Sequence, residues 1–201
     1  VKIDKNRWLE IEKETRHDLQ AFVQMLEETV PDGAGRWIHY GLTSSDILDT
    51  SLSLMCRDSL SVIINHAAMI IHSLNKLLYC EESKSNILSR THGKAAEVQT
   101  YQDIFNRWLS QIRRSYDELC IAKGKISYGK LSGPSGNYTT NSIENEKQAL
   151  DTLGLESIVS SQIISRDIYL DYFFSILKLV LAIEKIAFDI RVYSIDGVNE
   201  M

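Results

Sequence analysis

Only two prolines, Pro31 and Pro134, interrupt the 201 residues, and between the breaks apolar side chains recur at helical spacing. Proline ends helices, so long proline-free stretches with this period can fold into long rods. Residues 3–29 read as helix in two pieces, with Leu19, Phe22, Val23 and Leu26 on one face. Residues 31–37 read as a turn. A long helix is expected over 46–79, with Thr43 and Asp46 as candidate N-caps. A second is expected over 95–122, where Tyr101, Ile104, Phe105, Trp108, Leu109, Ile112, Tyr116 and Leu119 form one stripe. A glycine-rich loop over 129–138 leads to a short helix over 141–153, and a third long helix runs over 167–195. No strand alternation and no internal repeat is visible, so the expected fold class is all-α, a bundle of long helices.

The third long helix is apolar nearly all round: Tyr172, Phe173, Phe174, Ile176, Leu177, Leu179, Val180, Leu181, Ile183, Ile186, Phe188 and Ile190. A helix apolar on every side needs neighbours on every side. These side chains, at about 2 kcal/mol each, represent roughly 24 kcal/mol of gross burial as an upper bound. Two other rods in one chain can hardly surround it, so the missing neighbours are expected from other copies.

Composition narrows the class. The chain is 44% apolar and 24% charged, enough for a substantial core, and its net charge is −5. It has no basic tract, which argues against nucleic acid as a partner. Cys56, Cys80 and Cys120 are widely spaced without a Cys-x-x-Cys pair. They read as buried free thiols in a reducing cytoplasm, neither a disulfide frame nor a zinc site. Val1-Lys2-Ile3-Asp4-Lys5 is no signal peptide and has no initiator Met, so a fragment is expected. The apolar run from Phe173 to Ile183 is too short to span a bilayer.

Chemistry concentrates in three histidine-bearing segments: Thr15-Arg16-His17-Asp18, the string from His39-Tyr40-Gly41-Leu42 through Thr43-Ser44-Ser45-Asp46, and Arg90-Thr91-His92-Gly93. The last two place hydroxyls, a glycine and a histidine just before a long helical stretch. A helix N-terminus carries unpaired N–H groups and a partial positive charge, so such turns can hold an anion. Capping alone also accounts for Thr43 through Asp46, and composition favours that reading. By composition Glu14 to Asp18 is a solvated helix turn. The run from Gly129 to Gly136 lacks the phosphate-loop spacing and reads as a turn. His66 and His72 stand six apart, the wrong spacing for a helical metal pair.

In order and spacing the three segments resemble the adenylosuccinate lyase family of the fumarase/aspartase superfamily, over essentially the whole chain. The resemblance implies a long-helix bundle of that type, with residues 1–36 closing an N-terminal helical domain and 37–201 belonging to the central bundle. It implies that Thr43 and Ser44 hold a carboxylate of the succinyl group, and that His92 is the general acid with Thr91 binding substrate. His17 would orient substrate or acid, Asp18 would meet the adenine side, His39 would lie at the site, and Gln162 would bind the succinyl moiety. Arg166-Asp167 also matches. Ala95 and Val98 depart from the pattern, standing where the family carries a second histidine and a proline.

The implied reaction is a β-elimination that releases fumarate from adenylosuccinate, or from the related succinyl-carboxamide ribotide, in purine biosynthesis. It needs no metal or organic cofactor, and the implied assembly is a cytoplasmic homotetramer. The superfamily's third signature, Gly-Ser-Ser-x-Met-Pro-x-Lys-x-Asn, is absent from the 201 residues. In the family its serine is the base, so the chain alone is expected to be inactive. The alternatives are another superfamily lyase, such as argininosuccinate lyase or a cycloisomerase, and an inert helical oligomerisation fragment.

Overall fold

Residue Arg16, at φ 53° and ψ 31°, breaks the first helical stretch in two. In the computed structural model, which describes residues 2–198 and 200–201, α1 spans Lys5–Thr15 and α2 spans Asp18–Thr29. The long helix α3 is Ser44–Leu78, α4 is Tyr101–Lys125, α5 is Ile143–Leu153 and α6 is Ile168–Tyr193. These lie close to the expected helices, and the chain is predominantly helical.

The described residues also contain strands, which the apolar pattern did not predict. β1 (Asn86–Thr91) pairs antiparallel with β2 (Lys94–Thr100), and a two-residue parallel ladder joins β3 (Tyr128–Gly129) to β4 (Glu156–Ser157). The helix expected from residue 95 therefore begins at Tyr101. The physical reason lies in two places. The apolar stripe itself starts at Tyr101, while residues 94–98 are all exposed and offer a helix nothing to bury. A capping box then fixes the start: Thr100 Oγ1 accepts the Asp103 N–H at 3.2 Å, and an Asp103 carboxylate oxygen accepts the Thr100 N–H at 2.8 Å.

Two compact units form, and they do not follow chain order. The first comprises the chain up to Ser53 together with Tyr128–Ser165. Its α1–α2 pair buries Ile11, Ala21 and Met25 against Trp8, Phe22 and Leu26, with Trp8 and Phe22 meeting edge-on at 5.4 Å. The second comprises Leu54–Ser127 and the chain from Arg166 onward. There the rest of α3 contributes Leu60, Ala67 and Leu74, α4 contributes Ile104, Trp108, Ile112 and Leu119, and α6 contributes Leu179 and Ala182. Trp108 Nε1 donates to Asp189 at 2.9 Å, so the buried indole is satisfied.

By length and composition α3 is apolar enough to cross a membrane. Its first turns are committed elsewhere: Asp46, Asp49, Thr50 and Ser53 are buried within the first unit. On α6 the twelve apolar side chains do not find the burial that their composition asks for. Only Leu179 is fully buried, while Phe173, Phe174, Leu177, Val180, Leu181, Ile183, Phe188 and Ile190 remain exposed.

Candidate active site

The histidine segments share one backbone property. Among the described residues five non-glycines take positive φ, and Arg16, His39 and His92 are three of them. Such conformations cost free energy in ordinary residues and tend to persist at functional sites.

In the first unit His17 is the N-cap of α2, its Nδ1 accepting the Gln20 N–H at 3.3 Å. Its imidazole lies 3.5 Å from an Asp18 carboxylate oxygen, and both side chains are more than half exposed. The Asp18 carbonyl also accepts from Trp8 Nε1 at 3.0 Å, which ties this turn to the α1–α2 core. His39 (φ 65°) begins the turn that leads into α3; it is half-buried, with Nε2 enclosed and unpartnered among the described residues.

In the turn before α3 the capping side chain sits at a different position from the one expected. Thr43 occupies the N-cap position, but Asp46 does the capping: its Oδ2 accepts the Thr43 N–H at 2.9 Å, and the Asp46 N–H donates to the Thr43 carbonyl at 3.0 Å. Asp46 is therefore the third residue of the helix and not its N-cap. Neither the Thr43 nor the Ser44 hydroxyl takes part in a hydrogen bond among the described residues, and both residues are half-buried. The anion-attracting end of α3 thus carries two unused donors.

Below this turn lies a polar floor that the residue pattern did not reveal. Asp46 is fully buried and pairs with the fully buried Lys130. Thr50 Oγ1 accepts the Lys130 N–H at 3.0 Å and donates to its carbonyl at 3.1 Å. Asp49 accepts the Ile164 N–H at 2.7 Å, which anchors the segment that carries the exposed Gln162. The glycine-rich loop is more than a turn. It also meets Glu146, a buried carboxylate that accepts from the Leu131 N–H, the Tyr138 hydroxyl and the Ser157 hydroxyl. Burial first, and the bond to Glu146 second, push the Tyr138 phenol above its ordinary range. One signal could have exposed Lys130: it is the only charge between Ile126 and Ser142.

In the second unit Thr91 and His92 sit at the tip of the β1–β2 hairpin, both exposed. His92 (φ 53°) and Gly93 (φ 75°) supply the positive φ values that tight hairpin turns require. The expectation that His92 directly precedes a helix is thereby corrected: the whole of β2 separates it from α4. Arg90, one pair from the hairpin tip, pairs with Glu200 and donates to the Leu88 carbonyl at 3.2 Å.

A family model described as Lyase matches residues 2–200. The chain belongs to this lyase family. Among curated relatives within it, the adenylosuccinate lyase of Synechocystis is 38% identical over 193 residues, covering 95% of this chain and 44% of that protein. The adenylosuccinate lyase of Aquifex aeolicus is 36% identical over 183 residues, covering 90% and 41%. The chain therefore spans less than half the length of the curated relatives that it matches. Among solved structures, a fumarate lyase from Mesorhizobium superposes with a TM-score of 0.89 at 20% identity, over 98% of this chain and 47% of that one. A β-carboxy-cis,cis-muconate cycloisomerase from Acinetobacter calcoaceticus gives 0.84 at 22%, over 96% and 46%. These two establish the fold: the helical bundle is of the fumarase/aspartase type.

Proposed function

We propose that this lyase-family chain is the part of an adenylosuccinate lyase that binds the substrate's succinyl carboxylate and protonates the leaving nitrogen. The observation that carries the reading is the pair of Thr43 and Ser44 hydroxyls, left unused by the cap at the N-terminus of α3. A hydroxyl free to donate beside a helix N-terminus suits a carboxylate ligand. The relatives' name supplies the substrate class.

In this reading a serine outside the 201 residues takes the proton from the succinyl carbon next to the carboxylate. Negative charge then moves onto that carboxylate, where Thr43, Ser44 and Gln162 stabilise it with hydrogen bonds. The C–N bond breaks as His92 gives its proton to the nitrogen, releasing fumarate and AMP. His17 orients substrate or acid, Asp18 meets the adenine side, and His39 and Thr91 line the site. The succinyl-carboxamide ribotide of purine biosynthesis is handled in the same way. The division into residues 1–36 and 37–201, the homotetramer and the cytoplasmic location belong to the same proposal.

The test replaces both hydroxyl residues in the complete protein that carries this chain. Thr43→Ala/Ser44→Ala should fold normally, because Asp46 and not Thr43 provides the cap. Its kcat/KM should fall more than about tenfold, since a hydrogen bond to a charged group contributes roughly 1.5–3 kcal/mol. Inhibition by fumarate should weaken in parallel. Unchanged kinetics with a lowered Tm would return the pair to a structural role.

A further inference from the structure

We infer that Lys130 is a positioning residue of the active site: by pairing with Asp46 it fixes the carboxylate that holds the Thr43–Ser44 turn. The inference rests on the proposed carboxylate-binding role of that turn.

Both partners are completely removed from solvent. A buried ion pair is a poor device for stability alone, because apolar residues of similar volume often serve as well. Its use here is geometric. Asp46 divides its two oxygens. Oδ1 receives the Lys130 ammonium, while Oδ2 accepts the N–H groups of Thr43 at 2.9 Å and Gly133 at 3.1 Å. The ammonium reaches back to the Gly133 carbonyl at 3.3 Å. One carboxylate thereby joins the start of α3 to the glycine-rich loop, and one lysine closes the ring.

The ring is clamped from its sides. Thr50, one helical turn beyond Asp46, takes both the N–H and the carbonyl of Lys130, so the lysine backbone cannot slide along α3. Gly133 stands at φ +83°, a conformation that side-chain-bearing residues rarely adopt, and this lets its N–H and its carbonyl both serve the pair. Without the Lys130 charge, Asp46 would keep its buried place with no counter-charge, and would have to turn toward water. It would then release the Thr43 N–H, and the two free hydroxyls would lose their fixed direction. A displacement of about 1 Å at such a group can cost about a hundredfold in rate.

The experiment is a double-mutant cycle in the complete protein, with adenylosuccinate as substrate and fumarate as inhibitor. Lys130→Met should lower kcat/KM more than about tenfold and weaken fumarate by a similar factor, and adding Thr43→Ala/Ser44→Ala should add little, because both act through one turn. Amide exchange in residues 39–46 should accelerate while that in α4 stays unchanged. A merely structural lysine would reduce the number of active molecules, leaving KM and fumarate inhibition intact and the effects additive. That outcome overturns the inference if Thr43→Ala/Ser44→Ala alone still weakens fumarate, and the proposed function then stands. If Thr43→Ala/Ser44→Ala alone changes nothing, the proposed function fails first and the inference falls with it. Should Lys130→Met not fold, Asp46→Asn removes the same ion pair at constant size and enters the same cycle, where coupling to the hydroxyl pair supports the inference and additivity overturns it.

Discussion

Two hydroxyls and a histidine carry most of the chemistry proposed here, and they differ in how they are held. Thr43 and Ser44 stand on a buried polar floor built by Asp46, Lys130, Thr50 and Asp49. His92 stands on an exposed hairpin tip. Replacing His92 with Ala in the complete protein should therefore cost little stability, since it removes no burial. It should lower kcat by about 10²–10⁴, the usual contribution of acid catalysis, with fumarate inhibition nearly unchanged. Retention of more than about a tenth of the parental kcat excludes His92 as the acid. At this scale the site was half legible. The pattern from Thr43 to Asp46 marked the start of a helix, and Asp46 does cap it, but the glycine-rich run read only as a turn and gave Lys130 no role. Its burial depends on Asp46, 84 residues away in the chain, and spacing does not encode that distance.

At the scale of elements, the helices were readable because each has an apolar stripe to bury. The α5 and α6 spans follow from that pattern, whereas the position of the α1–α2 break is set by the backbone of Arg16. The β1–β2 hairpin has no such stripe, and Ala95, Ala96 and Glu97 favour helix by local propensity. Pairing with β1 overrides them, and the turn at His92-Gly93 makes the pairing possible. A Cβ on Gly93 would meet nothing within 4 Å, so any cost of substitution there is purely conformational. Gly93→Val should consequently loosen the hairpin by about 1–2 kcal/mol. Amide exchange should rise in residues 86–100 and not in α4, whose start is held separately by Thr100 and Asp103. The Thr100 N–H first, and its hydroxyl second, hold the Asp103 carboxyl below its ordinary value. A depressed carboxyl contributes stability above its unfolded pKa of about 4 and loses it as pH falls through the folded value. Fraying at the start of α4 is thus expected on acidification, detectable as faster exchange at residues 101–103 once the intrinsic pH dependence is removed.

At the scale of the molecule, α6 sets the terms. Its composition asks for neighbours on every side, and within the chain only Leu179 among the twelve apolar side chains is fully buried. Phe173 is 63% exposed, Phe174 57% and Leu181 56%. A chain in water rarely leaves such an apolar face bare, because covering each large side chain contributes about 1.5–3 kcal/mol. The exposed set on α6 therefore represents on the order of 10 kcal/mol, enough to drive association at micromolar concentration even after the entropy of bringing copies together. Helix faces of this kind assemble symmetrically, and the family resemblance sets the expected number at four. Light scattering should then give about four times the 22.9 kDa chain mass. Phe173→Glu and Leu181→Glu together should place charge on the covered face and yield a smaller species with its helix content retained. If the unaltered chain is instead a stable, non-aggregating monomer at micromolar concentration, the exposed face of α6 needs another partner and the homotetramer is wrong. The same measurement, made alongside a fumarate-release assay on the 201-residue chain, separates assembly from catalysis. The chain should associate through α6 yet release no fumarate, because the 201 residues hold no Gly-Ser-Ser-x-Met-Pro string, to which the proposed mechanism assigns the base.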